Sequence, residues 1–289
     1  MRRTSLPGEQ DLGVPAALAG RARNLASSGP KNRAEAAPAS SVSAPANSRP
    51  TITVVIPALN EAANLPYVLP RIDDSVDEVV LVDGYSTDET IAVARQLRGD
   101  IRIVAQEGRG KGAALRSGFA AATGDIIIML DADGSTDPAE IPVFVGALRA
   151  GADFVKGSRF LQGGGTSDMP WYRRLGNGGL VSLVRLLFAG RYSDLCYGYN
   201  AFWADVLPAL DLDADGFEIE TVMNVRALRA GLQVAEVPSF EHKRRHGTSG
   251  LKTFPDGWRV LKTILKERIS SFPADARPPP ARLSARKSA

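Results

Sequence analysis

In the stretch IIIMLDADGSTDPAE, residues 126–140, a run of apolar residues meets three aspartates, Asp131, Asp133 and Asp137. Like charges this close repel one another unless a cation, a helix end or solvent takes up the charge. Asp131 and Asp133 flank Ala132 at the end of an apolar run. Two such carboxylates suit a hard divalent cation, because Mg2+ and Mn2+ typically take one or two protein carboxylates and leave positions for phosphate oxygens. A cation held there would neutralise a diphosphate leaving group. Asp137 is followed by Pro138 and reads instead as a helix N-cap with proline at the first helical position. Taken alone, Asp-Ala-Asp-Gly is also compatible with an ordinary turn.

A second polar cluster is EGRGKGAALRSG, residues 107–118. Backbone amides ahead of a helix, with Arg109 and Lys111, make an anion site the expectation. It is not a Walker A loop, since Gly112 stands where Ser or Thr should follow the lysine. Further along, Asp215, Glu218 and Glu220 precede or open a helical pattern in which Phe217 and Glu220 share a face. Glu220 is the candidate for work on the acceptor, and Asp215 a candidate N-cap. The two histidines, His242 and His246, lie in a segment dense in Lys and Arg, which disfavours a metal site; His246 reads as a loop residue near a diphosphate.

The elements that must position these residues follow from the apolar pattern. TITVVIP (51–57), DEVVLVDG (77–84), IRIVAQ (101–106), DIIIML (125–130) and ADFVKGS (152–158) are continuous rather than alternating runs, as strands covered on both faces are. Helical segments lie between them: TIAVARQL behind a Ser86–Glu89 capping box, residues 111–122, and the segment opened by Asp137. Alternating strands and helices predict a parallel sheet with ligands at the carboxyl ends of its strands. From about residue 160 the pattern is less regular. It predicts helices over 171–190, 215–231 and 257–269 and a strand over 232–240. In the last helix Trp258, Leu261 and Leu265 share a face, with Val260 and Ile264 beside them and Arg259, Lys262 and Lys266 elsewhere. Such a helix packs on its own domain or lies on an anionic membrane.

The chain has 289 residues, 44% hydrophobic, with a formal net charge of +3. Residues 1–50 carry seven Lys/Arg against three Asp/Glu, and residues 271–289 four against one, so the residues between carry a net −4. The basic character belongs to the tails. No basic stripe with interleaved aromatics is present, so nucleic acid is not the expected partner. The single cysteine, Cys196, rules out an internal disulfide framework and suits a reducing cytoplasm. No apolar run approaches the roughly 20 residues of a spanning helix. Pro7, Glu9 and Asp11 interrupt what a signal peptide would need. Residues 1–49 and 271–289, rich in Ala, Ser, Pro and Arg, read as disordered tails on one domain over 50–270.

The segments VVIPALNEAANLP, EVVLVDGYSTDETIAVA, GRGKGAALRSGFAAATGDIIIMLDADGSTDP and FVKGSRF, in this order and spacing, resemble the family 2 glycosyltransferases of the GT-A fold. Among these the chain is most similar to the polyprenyl-phosphate sugar transferases typified by dolichyl-phosphate mannose synthase. The resemblance covers about residues 51–255. It implies an α/β GT-A fold, a Rossmann-like and mostly parallel sheet with helices on both faces, divided into a nucleotide-sugar half (50–160) and an acceptor half (161–270). It also implies an inverting, metal-dependent transferase that moves a sugar from a UDP- or GDP-linked donor in polysaccharide or glycolipid synthesis. Mg2+ or Mn2+ would be the cofactor and a polyprenyl phosphate a candidate acceptor, with the enzyme cytoplasmic or peripheral on the inner face of the membrane.

Residue by residue, Pro57, Leu59 and Glu61 match the stretch that lines the base and ribose, and Asp83 an aspartate that contacts the base. Lys111 matches a basic residue near the nucleotide. Asp131, Ala132 and Asp133 match the DXD motif for metal and diphosphate. Arg159 matches an arginine near the sugar and acceptor phosphate, and Arg244 the arginine of a loop that closes on the diphosphate. Glu220 matches a glutamate of the mannose synthase pattern. Ser135 stands where those enzymes usually have glutamine, and Gly250 where the closing loop has lysine. Two other readings are a nucleotidyltransferase, against which the PALNE after the first strand counts, and a non-catalytic nucleotide-sugar-binding protein of the same fold.

Overall fold

The computed structural model describes residues 49–271 apart from Asp168 and Ser249. Both tails lie outside the described residues except for Arg49 and Ser271. The first five apolar runs become strands within a residue or two of their expected limits: β1 (Ile52–Ala58), β2 (Glu78–Asp83), β3 (Arg102–Ala105), β4 (Ile126–Met129) and β5 (Phe154–Ser158). A short β6 (Gly165–Thr166) follows, then β7 (Asn200–Trp203), β8 (Val234–Pro238) and β9 (Phe240–Glu241). The helices are α1 (Thr90–Leu97), α2 (Lys111–Ala121), α3 (Ile141–Arg149), α4 (Trp171–Phe188), α5 (Leu207–Leu210), α6 (Ile219–Arg229) and α7 (Thr253–Ile269).

Seven strands form one sheet in the order β3-β2-β1-β4-β7-β5-β8. Only β7 runs antiparallel to its neighbours, β4 and β5. Successive residues of β1 point to opposite faces. Val54 and Ile56 join Leu81, Ile128 and Phe144 on one side, and Val55 joins Val80, Leu115, Phe119 and Met223 on the other. This two-sided burial is why the strands read as unbroken apolar runs. Gly118 lets α2 lie close on the sheet, since a Cβ there would sit 2.3 Å from a Val55 methyl. A third cluster, with Val184, Leu195, Val225, Val260 and Ile264, packs α4, α6 and α7 together. β2 and β4 pair with β1 on opposite sides, so the strand order reverses there. A crevice opens at the carboxyl ends there, the usual ligand position in such a sheet.

Several local expectations are corrected. The Ser86–Glu89 capping box does not form. Ser86 Oγ accepts from Asn60 N instead, and Asp88 caps the helix by accepting from Thr90 N at 3.0 Å. Asp215 does not cap α6, which begins at Ile219; its carboxylate pairs with Arg116 at 2.6 Å. α7 starts at Thr253, one turn before its expected limit, because Pro255 falls within the first turn, where its missing N–H costs nothing. Asp137 does cap as expected, accepting from Ala139 N. β7 was not anticipated. Its run, YGYNAFW, is broken by Gly198 and Asn200 and lacks the aliphatic β-branched residues that marked the others.

Candidate active site

The loops after β1 to β5 surround a cavity of about 1840 Å3 that also reaches α4, α6 and α7. It exceeds the roughly 300–1,000 Å3 of an ordinary small-molecule pocket and has room for two substrates. β4 ends at Met129, and the turn that follows, with Gly134 at φ 76°, carries Asp131, Ala132 and Asp133 to the cavity wall. Lys111, the first residue of α2, reaches across with Nζ 2.7 Å from Asp131 Oδ1 and 2.7 Å from Glu220 Oε1. Burial alone would lower the Lys111 pKa, but the two carboxylates more than offset this and hold it above its ordinary value. Glu220, expected to work on the acceptor, is thus tied through Lys111 to Asp131. The amides at the start of α2 are not open to an anion as expected: Gly112 N and Ala113 N donate to the Asp215 carbonyl at 2.7 and 3.3 Å.

The second carboxylate is held differently. Asp133 Oδ1 accepts from Ser135 N at 2.9 Å, and its Oδ2 lies 3.3 Å from the Arg244 guanidinium. Arg244 also bonds Glu61 and donates through Nε to the His246 carbonyl at 2.8 Å. Asn64 completes the clasp, donating to Glu61 Oε2 at 2.6 Å and accepting from His246 N at 2.9 Å. Burial pushes the Glu61 carboxyl above its ordinary value, against the opposing pull of Asn64 and Arg244. The segment after β9 is thus drawn across the strand ends by one arginine that bridges two carboxylates. His242 and His246 sit apart, one 4.0 Å from Asp137 and the other beside the Tyr67 ring.

No group of three or more His, Cys, Asp or Glu side chains is placed to hold a metal among the described residues. Asp131 and Asp133 supply hard oxygen donors from two side chains, both partly exposed to the cavity. That donor set fits Mg2+ or Mn2+, whose remaining coordination positions would be filled by diphosphate oxygens and water.

Arg159 lies at the cavity wall, but its guanidinium is already engaged. Nε and NH2 bond both oxygens of the fully buried Asp194 at 2.7 and 2.9 Å, and NH1 meets Glu241 at 3.0 Å. Pro57 and Leu59 line the cavity as expected, with Leu59 exposed. Asp83 does not line it. Its carboxylate accepts from Tyr85 N and Ser86 N at 3.1 and 3.2 Å, fixing the turn that brings Gly84 and Tyr85 to the wall.

Other lining residues were not singled out from sequence. At Gly198 a Cβ would fall 2.6 Å from Glu220 Oε1 and 2.9 Å from Lys111 Nζ, so the cluster closes only against a glycine. The far end of the cavity is formed by Tyr172, Arg173 and Leu180 of α4 and Phe254, Trp258 and Leu261 of α7. The Arg173 guanidinium has no partner among the described residues. Around that mouth Trp171, Leu175, Phe254 and Trp258 are exposed, at 73%, 67%, 83% and 58%. Val260 and Ile264 turn inward while Trp258 and Leu265 face out. No helix among the described residues is long and apolar enough to cross a membrane.

The sequence and the fold have counterparts among known proteins. The chain is 33% identical over 220 residues to the polyprenol monophosphomannose synthase of Mycolicibacterium smegmatis, covering 71% of this chain and 83% of that protein. It is 32% identical over 235 residues to the low-salt glycan biosynthesis hexosyltransferase Agl6 of Haloferax volcanii, covering 78% of this chain but only 55% of that longer protein. Among solved structures, glucosyl-3-phosphoglycerate synthase from Mycobacterium tuberculosis in complex with Mn2+, uridine diphosphate and glucosyl-3-phosphoglycerate superposes with a TM-score of 0.61 at 28% identity, covering 76% of this chain and 80% of that one. The glycosyl transferase family 2 model matches residues 53–207, more than half of the sequence, and spans β1 to β7 with both site aspartates. The chain belongs to glycosyl transferase family 2.

Proposed function

We propose that this protein transfers a sugar, with inversion, from a nucleoside diphosphate sugar to the phosphate of a polyprenyl phosphate. It would do so while bound peripherally to the inner face of a membrane. The observation that carries the reading is one continuous cavity with two unlike ends. Asp131, Asp133, Lys111 and Arg244 stand at one end, and Arg173, without a partner among the described residues, stands among exposed aromatic side chains at the other. The names of the relatives support the same acceptor class, and the Mn2+ and uridine diphosphate of the neighbouring structure support the same donor class.

Asp131 and Asp133 would hold Mg2+ or Mn2+, which supplies positive charge for a departing diphosphate. Lys111 holds Asp131 in place, and Glu220 holds Lys111 in place. Arg244 already bridges Glu61 and Asp133, so a bound diphosphate offers it a better-matched anion, and the exchange would draw its loop over the donor. Pro57, Leu59 and Tyr85 provide a flat, partly apolar seat for base and ribose. A phosphate acceptor is largely ionised near neutral pH, so the nucleophile needs no strong general base. Arg159, fixed on Asp194, shapes the wall, and Arg173 would meet the acceptor phosphate. Trp171, Leu175, Phe254 and Trp258, interspersed with Arg174, Arg259 and Lys262, suit an anionic lipid surface.

Thermal shift with UDP-glucose, UDP-N-acetylglucosamine, GDP-mannose and dTDP-sugars, each with and without Mn2+, tests the donor side. A donor at 100 times its Kd should add about 2.7 kcal/mol of stability. One donor stabilising only with metal supports the reading. No stabilisation by any of them, with or without metal, contradicts it.

A further inference from the structure

Behind the donor cluster, β5 carries a lysine that the proposed reaction does not use. Lys156 is fully buried, at 0% exposure, opposite Asn200 of β7 and Glu236 of β8. Among the described residues its ammonium makes one hydrogen bond, to the Tyr197 carbonyl at 2.5 Å, and no ion pair. Taking an ammonium out of water is costly, and a methionine would fill the same space without that cost. What the lysine secures is a particular peptide. The Tyr197 hydroxyl lies 3.0 Å from Ser239 Oγ, and its ring sits 4.9 Å from the Arg159 guanidinium, so Lys156 supplies the third point of attachment. The next residue is Gly198, whose main chain backs Lys111, Asp131 and Glu220 so closely that a Cβ would fall within 3.1 Å of all three.

We propose that Lys156 is a positioning residue for sugar transfer: by holding the Tyr197 carbonyl it places the Tyr197–Gly198 peptide against which the Lys111–Asp131–Glu220 cluster closes. Burial lowers the Lys156 pKa, opposed by the charges of Asp194 and Glu220, but the neutral amine also donates a hydrogen bond. The hold therefore survives either protonation state. The kinetic part of this inference rests on the transferase reading; the structural part does not.

Lys156→Met removes donor and charge at similar volume, and Lys156→Gln keeps an N–H donor without the charge. The expected result is a kcat about 100-fold lower in K156M. Its Kd for nucleoside diphosphate with Mn2+ by calorimetry should weaken as well, because Asp131 belongs to the displaced cluster, and K156Q should recover most of both losses. A K156M enzyme with wild-type kcat overturns the proposal, as does a K156Q no better than K156M. Crystal structures of the variants decide independently of turnover. The Tyr197–Gly198 peptide should move by about 0.5 Å or more in K156M and stay in place in K156Q; an unmoved peptide in K156M overturns the inference even if wild type transfers no sugar. Should K156M not fold, K156Q alone carries the test: near-wild-type kcat with the peptide in place supports the inference, and a 100-fold loss with the peptide in place overturns it. A wild type that transfers no sugar counts against the function, not against Lys156.

Discussion

The two ends of the cavity are built on opposite plans. At the strand ends both site aspartates are matched before any ligand arrives: Lys111 lies between Asp131 and Glu220, and Arg244 between Glu61 and Asp133. At the α4–α7 end the charge on Arg173 has no partner among the described residues, and large apolar side chains such as Phe254 and Trp171 stand in solvent. A prepaid network of hydrogen bonds suits a small, highly charged ligand that exchanges one set of counterions for another. Exposed aromatics beside basic residues suit a ligand whose greater part stays outside the protein, as a lipid phosphate in a membrane does. On the proposed function, the donor would be gripped and the acceptor visited.

The strongest way to break the contrast is at Asp133. Asp133→Asn keeps the shape, removes the charge, and should lower kcat by about 1,000-fold while abolishing any Mn2+-dependent thermal shift. Transfer at wild-type rate would show that the carboxylate pair is only a turn. Next, the wall between the two ends depends on Arg159 and Asp194. Burial raises the Asp194 pKa, but the Arg159 hydrogen bonds and charge overcome this and hold it below the ordinary carboxylate value. A depressed folded pKa means that the stabilisation is present at neutral pH and lost as pH falls through the folded value. Asp194→Ala leaves a buried guanidinium short of its partner and should cost about 3–5 kcal/mol in urea unfolding at pH 7, with a shallower loss of stability on acidification than wild type.

Two smaller effects sharpen the acceptor side. Arg173→Ala should raise the KM for a polyprenyl phosphate about tenfold or more, the loss of one hydrogen-bonded charge, with donor KM and melting temperature unchanged. An equal rise in donor KM would place Arg173 at the wrong end. Phe254→Ser with Trp258→Ser should change stability by no more than about 0.5 kcal/mol, because both side chains are already exposed. The same pair should weaken sedimentation with anionic vesicles by about tenfold for each aromatic lost.

The same division governs what could be read from sequence. The strands buried on both faces announce themselves as unbroken aliphatic runs, and Asp131 and Asp133 stand out because they end one. The α7 face was legible as a heptad-like stripe, though which of its two apolar rows faced inward was settled only by packing against Val184 and Val225. The counterions were not legible. Arg159 finds its carboxylates 35 and 82 residues away, and Lys111 meets Glu220 at a separation of 109, distances over which no local pattern speaks. Gly198 and β7 escaped for a related reason: a short aromatic run interrupted by Gly and Asn becomes a central strand only because β4 and β5 already stand on either side of it. The Ser86–Glu89 motif failed because Asn60, from the β1 loop, takes the serine hydroxyl.

The most direct test is transfer itself. Purified protein is mixed with the radiolabelled sugar donor that thermal shift identifies, anionic vesicles containing undecaprenyl phosphate, and Mn2+. The account predicts label in the lipid fraction, release of nucleoside diphosphate in equal amount, and loss of both on adding EDTA. Donor binding with no label in the lipid fraction, under conditions where the vesicles bind the protein, would contradict it.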